Sequence, residues 1–361
     1  MTSTNQANNR SIIEIKYHWQ HSSAFIADAI FDCLFFIGSP ILALCLAYLI
    51  FRNDSPLASA YFFGVDTTVF ALIAARIFTQ AHIFLVIGRS HLNRNIFRQF
   101  PIRFTVVPLL LILLAFVSDI VLIALIVIGG MWDIYHSSLQ TFGLARIYDA
   151  KLGNNPEIGR SLDIYLNHFL YIGAILSGIN FIPSLKNIFN YRNHPLTLGE
   201  PVVTFIQSHI GLIQDFVKLS FILYLIYYLL CYMQLMRNGY RFSIQKFTLL
   251  IVTAIVSYTA WNTFPFPVAL FVVNCFHALQ YFAIVWYTEN KNLLTLSPKF
   301  NTRWGGTLLL ALLVAIPFAY GSLVIFQKGI RALFCIASVF SLMHYWYDGF
   351  IWSVRKKQVV P

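Results

Sequence analysis

The chain is poor in charge. Of its 361 residues only 11% are Asp, Glu, Lys or Arg, where a soluble globular domain carries about a quarter. That shortage excludes an ordinary water-soluble fold. Acid is the scarcer sign, with 14 acidic residues against 25 basic ones and a net charge of +11. A basic chain can bind nucleic acid, but here Lys and Arg gather in loops between apolar runs, as the positive-inside rule requires. No nucleic-acid partner is expected. Cysteine is scarce as well. Cys33, Cys45, Cys231, Cys275 and Cys335 all fall inside apolar runs, and no C-x-x-C pair exists. This pattern excludes a disulfide framework or a cysteine zinc site and leaves small packing residues. A cleavable leader is not expected, because the chain opens polar (MTSTNQANNR) rather than with an early apolar stretch.

What is abundant is hydrophobic. Apolar residues make up 58% of the chain, and the mean hydropathy is +0.69. Apolar runs recur at the length of about twenty residues that a helix needs to cross a hydrocarbon core. The 34 Phe and 19 Tyr suit lipid-facing surfaces and interfacial belts. The expected fold class is all-α: an integral, multi-pass membrane protein of the plasma membrane or a bacterial inner membrane, built as a bundle of about ten transmembrane helices. Residues 1–23 read as a polar cytoplasmic arm, 24–354 as a single polytopic transmembrane domain, and 355–361 as a basic cytoplasmic tail.

Spans are expected near 24–51, 59–88, 104–128, 131–151, 163–183, 202–236, 247–264, 268–286, 305–326 and 332–352. The pair Gly129-Gly130 predicts a break between the third and fourth. Pro265-Phe266-Pro267 predicts a tight turn. If the marginally apolar run 131–151 crosses, then loops 89–103, 151–162, 237–246 and 289–303 share one side with both termini. Loop 89–103 holds four arginines and no acid, which marks that side as the cytoplasm.

Ionisable side chains are expensive in hydrocarbon, so those inside the spans point to function. In Phe340–Trp352, FSLMHYWYDGFIW, His344 and Asp348 are four apart and share a helical face. His136 has Asp133 and Gln140 near its face, His277 has Gln280 and Tyr281, and His82 follows Arg76 and Gln80. Counted along the helix, His136, His277 and His344 lie roughly 15–20 Å from the basic surface. His82, seven residues before Arg89, is expected to be shallower.

Four histidines on four helices suit convergence on one internal site. Imidazole binds iron, copper and zinc, and a carboxylate can ligate beside it or orient it. The expected ligands are His82, His136, His277 and His344, with Asp348, then Asp133, as carboxylates and Asp28 and Asp32 behind them. Gln140, Gln280, Tyr281 and Arg76 are assigned outer or substrate-facing positions, and Arg76 has Asp28 or Asp32 as an alternative partner. Iron or copper is the expected metal. Haem is the lesser alternative, with His136 and His344, or His277 and His344, as axial pairs. A single membrane histidine is often only an interhelical hydrogen-bonder, and that plainer role stands for each one taken alone. Trp132, Tyr135, Tyr148, Tyr345, Trp346, Tyr347 and Trp352 flank the histidines and are expected to form an aromatic wall or part of an interfacial belt.

Histidines facing the interior of a multi-span bundle resemble, in general character, those of the membrane di-iron hydroxylases and desaturases and of the carotene-cleaving membrane oxygenases. The desaturase boxes H-x-x-x-H and H-x-x-H-H are absent, so no residue assignment follows from that likeness.

The expected function is a metal-dependent membrane oxidoreductase that oxidises or hydroxylates a lipid-like substrate. Membrane lipids, a lipid-soluble or small-molecule substrate and a redox partner are its expected partners. The alternative is a transporter or permease that uses buried His and Asp to carry protons or bind substrate. Its hallmark would be broken helices at matching places in two halves. Gly129-Gly130 and Pro265/Pro267 do not fall at matching places.

Overall fold

The computed structural model describes residues 24–51, 61–62, 65–182, 190–191, 194–195, 199–302, 304–327 and 329–354. The expected N-terminal arm, with His18 and His21, and the basic tail lie outside the described residues.

The described residues are helical almost throughout. The first stretch is α1 (Ala29–Ile37) followed by α2 (Ser39–Phe51), bent by 52° where they meet. Asp28 caps α1 by accepting the Phe31 amide. Gly38 sits at the bend because a Cβ there would overlap the Cys33 carbonyl. After a two-residue antiparallel pairing of β1 (Tyr61–Phe62) with β2 (Val65–Asp66) comes α3 (Thr67–Ser90). Asp66 caps α3 by accepting the Thr68 and Val69 amides. Then follow α4 (Arg94–Gln99), α5 (Pro101–Val117) and α6 (Asp119–Lys151). Helix α7 (160–177) is made of Arg160–His168, a π-helical turn Phe169–Gly173, and Ala174–Ser177. A second short pairing, β3 (Asn190–Tyr191) with β4 (His194–Pro195), leads to α8 (Gly199–Ser208) and α9 (Ile210–Arg237). The chain ends with α10 (Ile244–Thr263), α11 (Phe266–Leu294), α12 (Gly305–Phe326) and α13 (Arg331–Ile351).

Helices α3, α6, α9, α10, α11 and α12 are long and apolar enough to cross a membrane, and the bent α1–α2 pair would make a seventh. This is the architecture of a multi-pass membrane protein.

Two sequence expectations about boundaries are corrected. Gly129-Gly130 does not interrupt a helix: α6 passes straight through both residues. Without water to take up freed amides and carbonyls, keeping the helical bonds outweighs the cost of two glycines. The break falls instead at Ser118, whose backbone is extended (φ −134°, ψ 117°) and whose hydroxyl accepts the Val121 amide. The run expected at 202–236 is likewise divided, at His209 between α8 and α9.

Contacts at the helix ends fix the relative directions around α13. The Tyr347 hydroxyl donates to the Arg103 carbonyl (2.9 Å). At the opposite end Arg331 donates to the Phe116 carbonyl (3.0 Å) and pairs with Asp119 (2.7 Å). Helix α13 is therefore antiparallel to α5 and parallel to α6. At the centre, α11 is buried along nearly its whole length. It packs against α2 and α3 through Ala43, Ala47, Ala71, Ala75 and Ala269, all fully buried. Small residues let backbones approach closely, which is where van der Waals packing binds helices when lipid is the alternative solvent.

Candidate metal centre

Each histidine expected at the site comes from a different helix: His82 from α3, His136 from α6, His277 from α11 and His344 from α13. All four are buried. The structure brings three of them to one point, with ligand nitrogens of His82, His136 and His344 all within 4.8 Å of one another. Nε2 of His136 and Nε2 of His344 are 3.1 Å apart. Metal–imidazole bonds of about 2.0–2.1 Å place adjacent ligand nitrogens about 3 Å apart, so this spacing suits two ligands of one ion.

His82 shows how the backbone prepares a ligand. Its Nδ1 faces the Phe78 carbonyl at 3.4 Å. A proton held on Nδ1 by that carbonyl leaves the lone pair on Nε2. Nε2 of His82 has no partner. Nδ1 of His344 and both nitrogens of His277 are also unpartnered. Each such atom costs on the order of 1–3 kcal/mol when nothing replaces the lost water. These donor atoms fit a metal ion, and the trio could hold one. The 3.1 Å between the His136 and His344 nitrogens leaves no room for a porphyrin plane between that expected axial pair.

Asp348 stands beside the trio. Its Oδ2 lies 3.8 Å from His136 Nε2 and 3.7 Å from His344 Nε2. Its Oδ1 is pinned by the Tyr281 hydroxyl (2.9 Å) and the Trp352 indole N–H (3.0 Å). One oxygen is thus fixed and the other is turned to the histidines.

The remaining expected residues fall around this core. The His277 ring is 4.7 Å from that of His82 and 5.3 Å from that of His136, outside the trio but against it. Gln140 donates to the His277 carbonyl (2.9 Å) and to Gln280 (3.2 Å). Gln280 in turn donates to the Phe36 carbonyl (2.8 Å), bracing the end of α1. Asp133 does not join the trio; it meets the Tyr345 hydroxyl, and Tyr345 packs 4.9 Å from His136. Asp28 and Asp32 serve the start of α1 instead, Asp32 accepting the Ile26 (2.7 Å) and Ala27 (3.0 Å) amides. Arg76 is exposed and pairs with neither of them.

His82 is not shallower than its partners, contrary to the count from Arg89. Arg89, the reference for that count, is not a solvated surface residue. It is buried, ion-paired with Glu289, bonded to the Ile351 carbonyl (3.0 Å) and stacked over Trp352.

A cavity of about 380 Å³ opens between α6 and α13 and reaches His136 and Asp348. Trp132, Tyr135, Tyr345, Trp346 and Trp352 line it, so five of the seven expected wall residues are there. Tyr148 is buried behind the lining, in one cluster with Leu144, Ile147 and Tyr281, and Tyr347 faces α5.

A second buried polar cluster escaped the sequence reading. Arg146 bridges Asp149 (2.5 Å) and Asp163 (2.7 Å), and Lys246 bridges the same two carboxylates at 2.9 and 2.7 Å. Tyr228 (2.9 Å) and Tyr232 (2.7 Å) donate to Asp163, and Tyr240 donates to Asp149. Burial, then the Asp149 carboxylate, push the Tyr240 hydroxyl above its usual pKa and keep it a donor. Arg146 also caps the carbonyls of Pro156 (2.7 Å) and Ile158 (2.8 Å). The available signal was the row Tyr224, Tyr228, Tyr232 on one helical face, with Asp163 and Lys246 at the starts of their helices.

No family model, no curated protein and no solved structure matches this chain.

Proposed function

We propose that the protein is a membrane oxidoreductase whose histidine trio holds iron or copper and whose substrate is a lipid-like molecule. One observation carries this reading: three imidazoles converge within 4.8 Å, with a half-pinned carboxylate beside them, at the wall of an aromatic cavity. Iron or copper held there would supply the one-electron chemistry with dioxygen that oxidising an unactivated C–H bond requires. The chain's own part is to fix the site. His82, His136 and His344 present the donor nitrogens. Tyr281 and Trp352 orient Asp348 so that its free oxygen serves as a fourth ligand or as a proton acceptor. His277, braced at its carbonyl by Gln140, stands ready as a further nitrogen donor. The surrounding rings exclude water.

The topology that goes with this reading is ten crossings with both termini cytoplasmic. The contacts among helix ends support it. The ends at Arg89, Arg103, Glu289 and Ile351 meet one another, as do those at Asp149, Asp163 and Lys246, and these ends hold most of the basic loops.

A second reading has its own support. The 3.1 Å between His136 and His344 also fits a proton shared between two imidazoles, as a transporter's relay would use. An oxygen-uptake assay separates the two. Purified protein in nanodiscs, loaded in turn with ferrous or cuprous ion, is given a native lipid extract. Lipid-dependent oxygen uptake that His136→Ala abolishes supports the oxidoreductase. No uptake with either metal, together with His136-dependent proton leak in proteoliposomes, supports the transporter.

A further inference from the structure

The cavity between α6 and α13 has a shape and a charge that narrow what can enter it. Along α6 its lining runs from Trp132 to Ile147, about 22 Å at the helical rise. A volume of about 380 Å³ is small for that length, near the low end of ligand pockets. The result is a narrow slot. That volume suits one hydrocarbon chain better than the two of a phospholipid.

The slot opens sideways. Tyr135 and Gly349, on facing helices, line it and are exposed, and Gly143, about two turns beyond Tyr135 along α6, is half-buried. Gly143 and Gly349 both line the slot, and a Cβ added at either would meet no atom within 4 Å. The two glycines therefore keep the slot open rather than allow close helix packing.

The polar side chains of the slot are Tyr135, His136, Gln140, Tyr281 and Asp348, with the hydroxyl of Tyr345 turned to Asp133 and the indoles of Trp132, Trp346 and Trp352 in the walls. No Lys or Arg lines it. Arg89 is covered by the Trp352 ring at 4.1 Å, and Arg103 lies outside the lining, against the Trp346 and Phe350 rings at 5.7 and 5.1 Å. Within the lining of the metal-free slot a carboxylate or phosphate headgroup would thus find no Lys or Arg and would meet Asp348.

We infer that the slot admits an uncharged lipid that presents a single apolar chain, entering from the bilayer between α6 and α13. This rests on the oxidoreductase reading only for what happens next; binding in the slot needs no metal.

The test uses the full chain in nanodiscs and three photoreactive probes: a long-chain alcohol, the fatty acid of the same length, and a phosphatidylcholine. Labelled sites are read by mass spectrometry. The expected result is labelling of Trp132, Tyr135 or Trp346 by the alcohol, with severalfold less by the acid and the phospholipid. Gly143→Leu and Gly349→Leu, whose side chains project into empty space, should abolish that labelling while keeping the wild-type metal content. His344→Ala should keep the labelling. Equal labelling by the acid or the phospholipid overturns the inference. So does labelling that survives both leucine variants. If His344→Ala labels normally and the wild type holds no metal, the slot stands and the oxidoreductase reading falls.

Discussion

Two buried polar clusters among the described residues are built on opposite terms. Around Asp149 and Asp163, two cations, two carboxylates and three tyrosines satisfy one another, with only Arg146 Nε left over. Around His82, four imidazole nitrogens have no partner at all. A buried group that is fully paired needs nothing more from outside. Such a network holds α6, α7, α9 and α10 in register. A buried group left unpaired is a standing cost, and a fold that keeps four of them together is prepared for something that completes them. Both clusters are buried. Satisfaction is what separates a structural cluster from a functional one.

The comparison can be broken at either cluster. The largest effect is expected from Lys246→Met, which leaves two carboxylates to share Arg146. Removing one partner of a buried ion network costs about 3–5 kcal/mol. Thermal unfolding in detergent should fall sharply, while the folded fraction keeps its metal content. An unchanged Tm would mean the network carries no load.

At the histidine cluster the sign reverses. His277→Leu removes two unpartnered buried nitrogens, so the metal-free protein should gain about 1–3 kcal/mol. A loss of stability in the metal-free state would show that His277 is satisfied by the protein itself. Asp348→Asn keeps the acceptor for Tyr281 and Trp352 but loses the charge. It should weaken metal binding about 10–100-fold, read by competition with a chromogenic chelator. The smallest effect is expected away from both clusters. Gly130→Ala meets no atom within 4 Å and should stabilise α6 by up to about 1 kcal/mol. A hinge at that position would instead make the alanine harmful.

Much of the histidine site was legible because ionisable residues inside apolar runs are conspicuous. The i, i+4 spacing of His344 and Asp348 put both on one face, and the structure sets Asp348 against His344 and His136. The Arg146 cluster was not legible for the converse reason. Its charges lie near helix ends, where the positive-inside rule gives Lys and Arg a sufficient explanation, and their burial arises only when α9 and α10 close over them. The same ambiguity misled the depth of His82, since Arg89 reads as a surface residue until Glu289 is seen beside it. Asp133 and Arg76 were nominated by their place in a span, and sequence position could not tell that Asp133 meets Tyr345 or that Arg76 faces outward. The break between α5 and α6 was misplaced because a glycine pair is a stronger sequence signal than a lone serine. Within hydrocarbon, however, helix continuity outweighs glycine's flexibility.

The most direct test of the central claim is the metal content of the protein purified without chelator, wild type beside His344→Ala. The account predicts close to one iron or copper ion per wild-type chain and little or none in the variant, with both equally folded. Wild-type protein that stays metal-free after anaerobic incubation with ferrous and cuprous ions would contradict it.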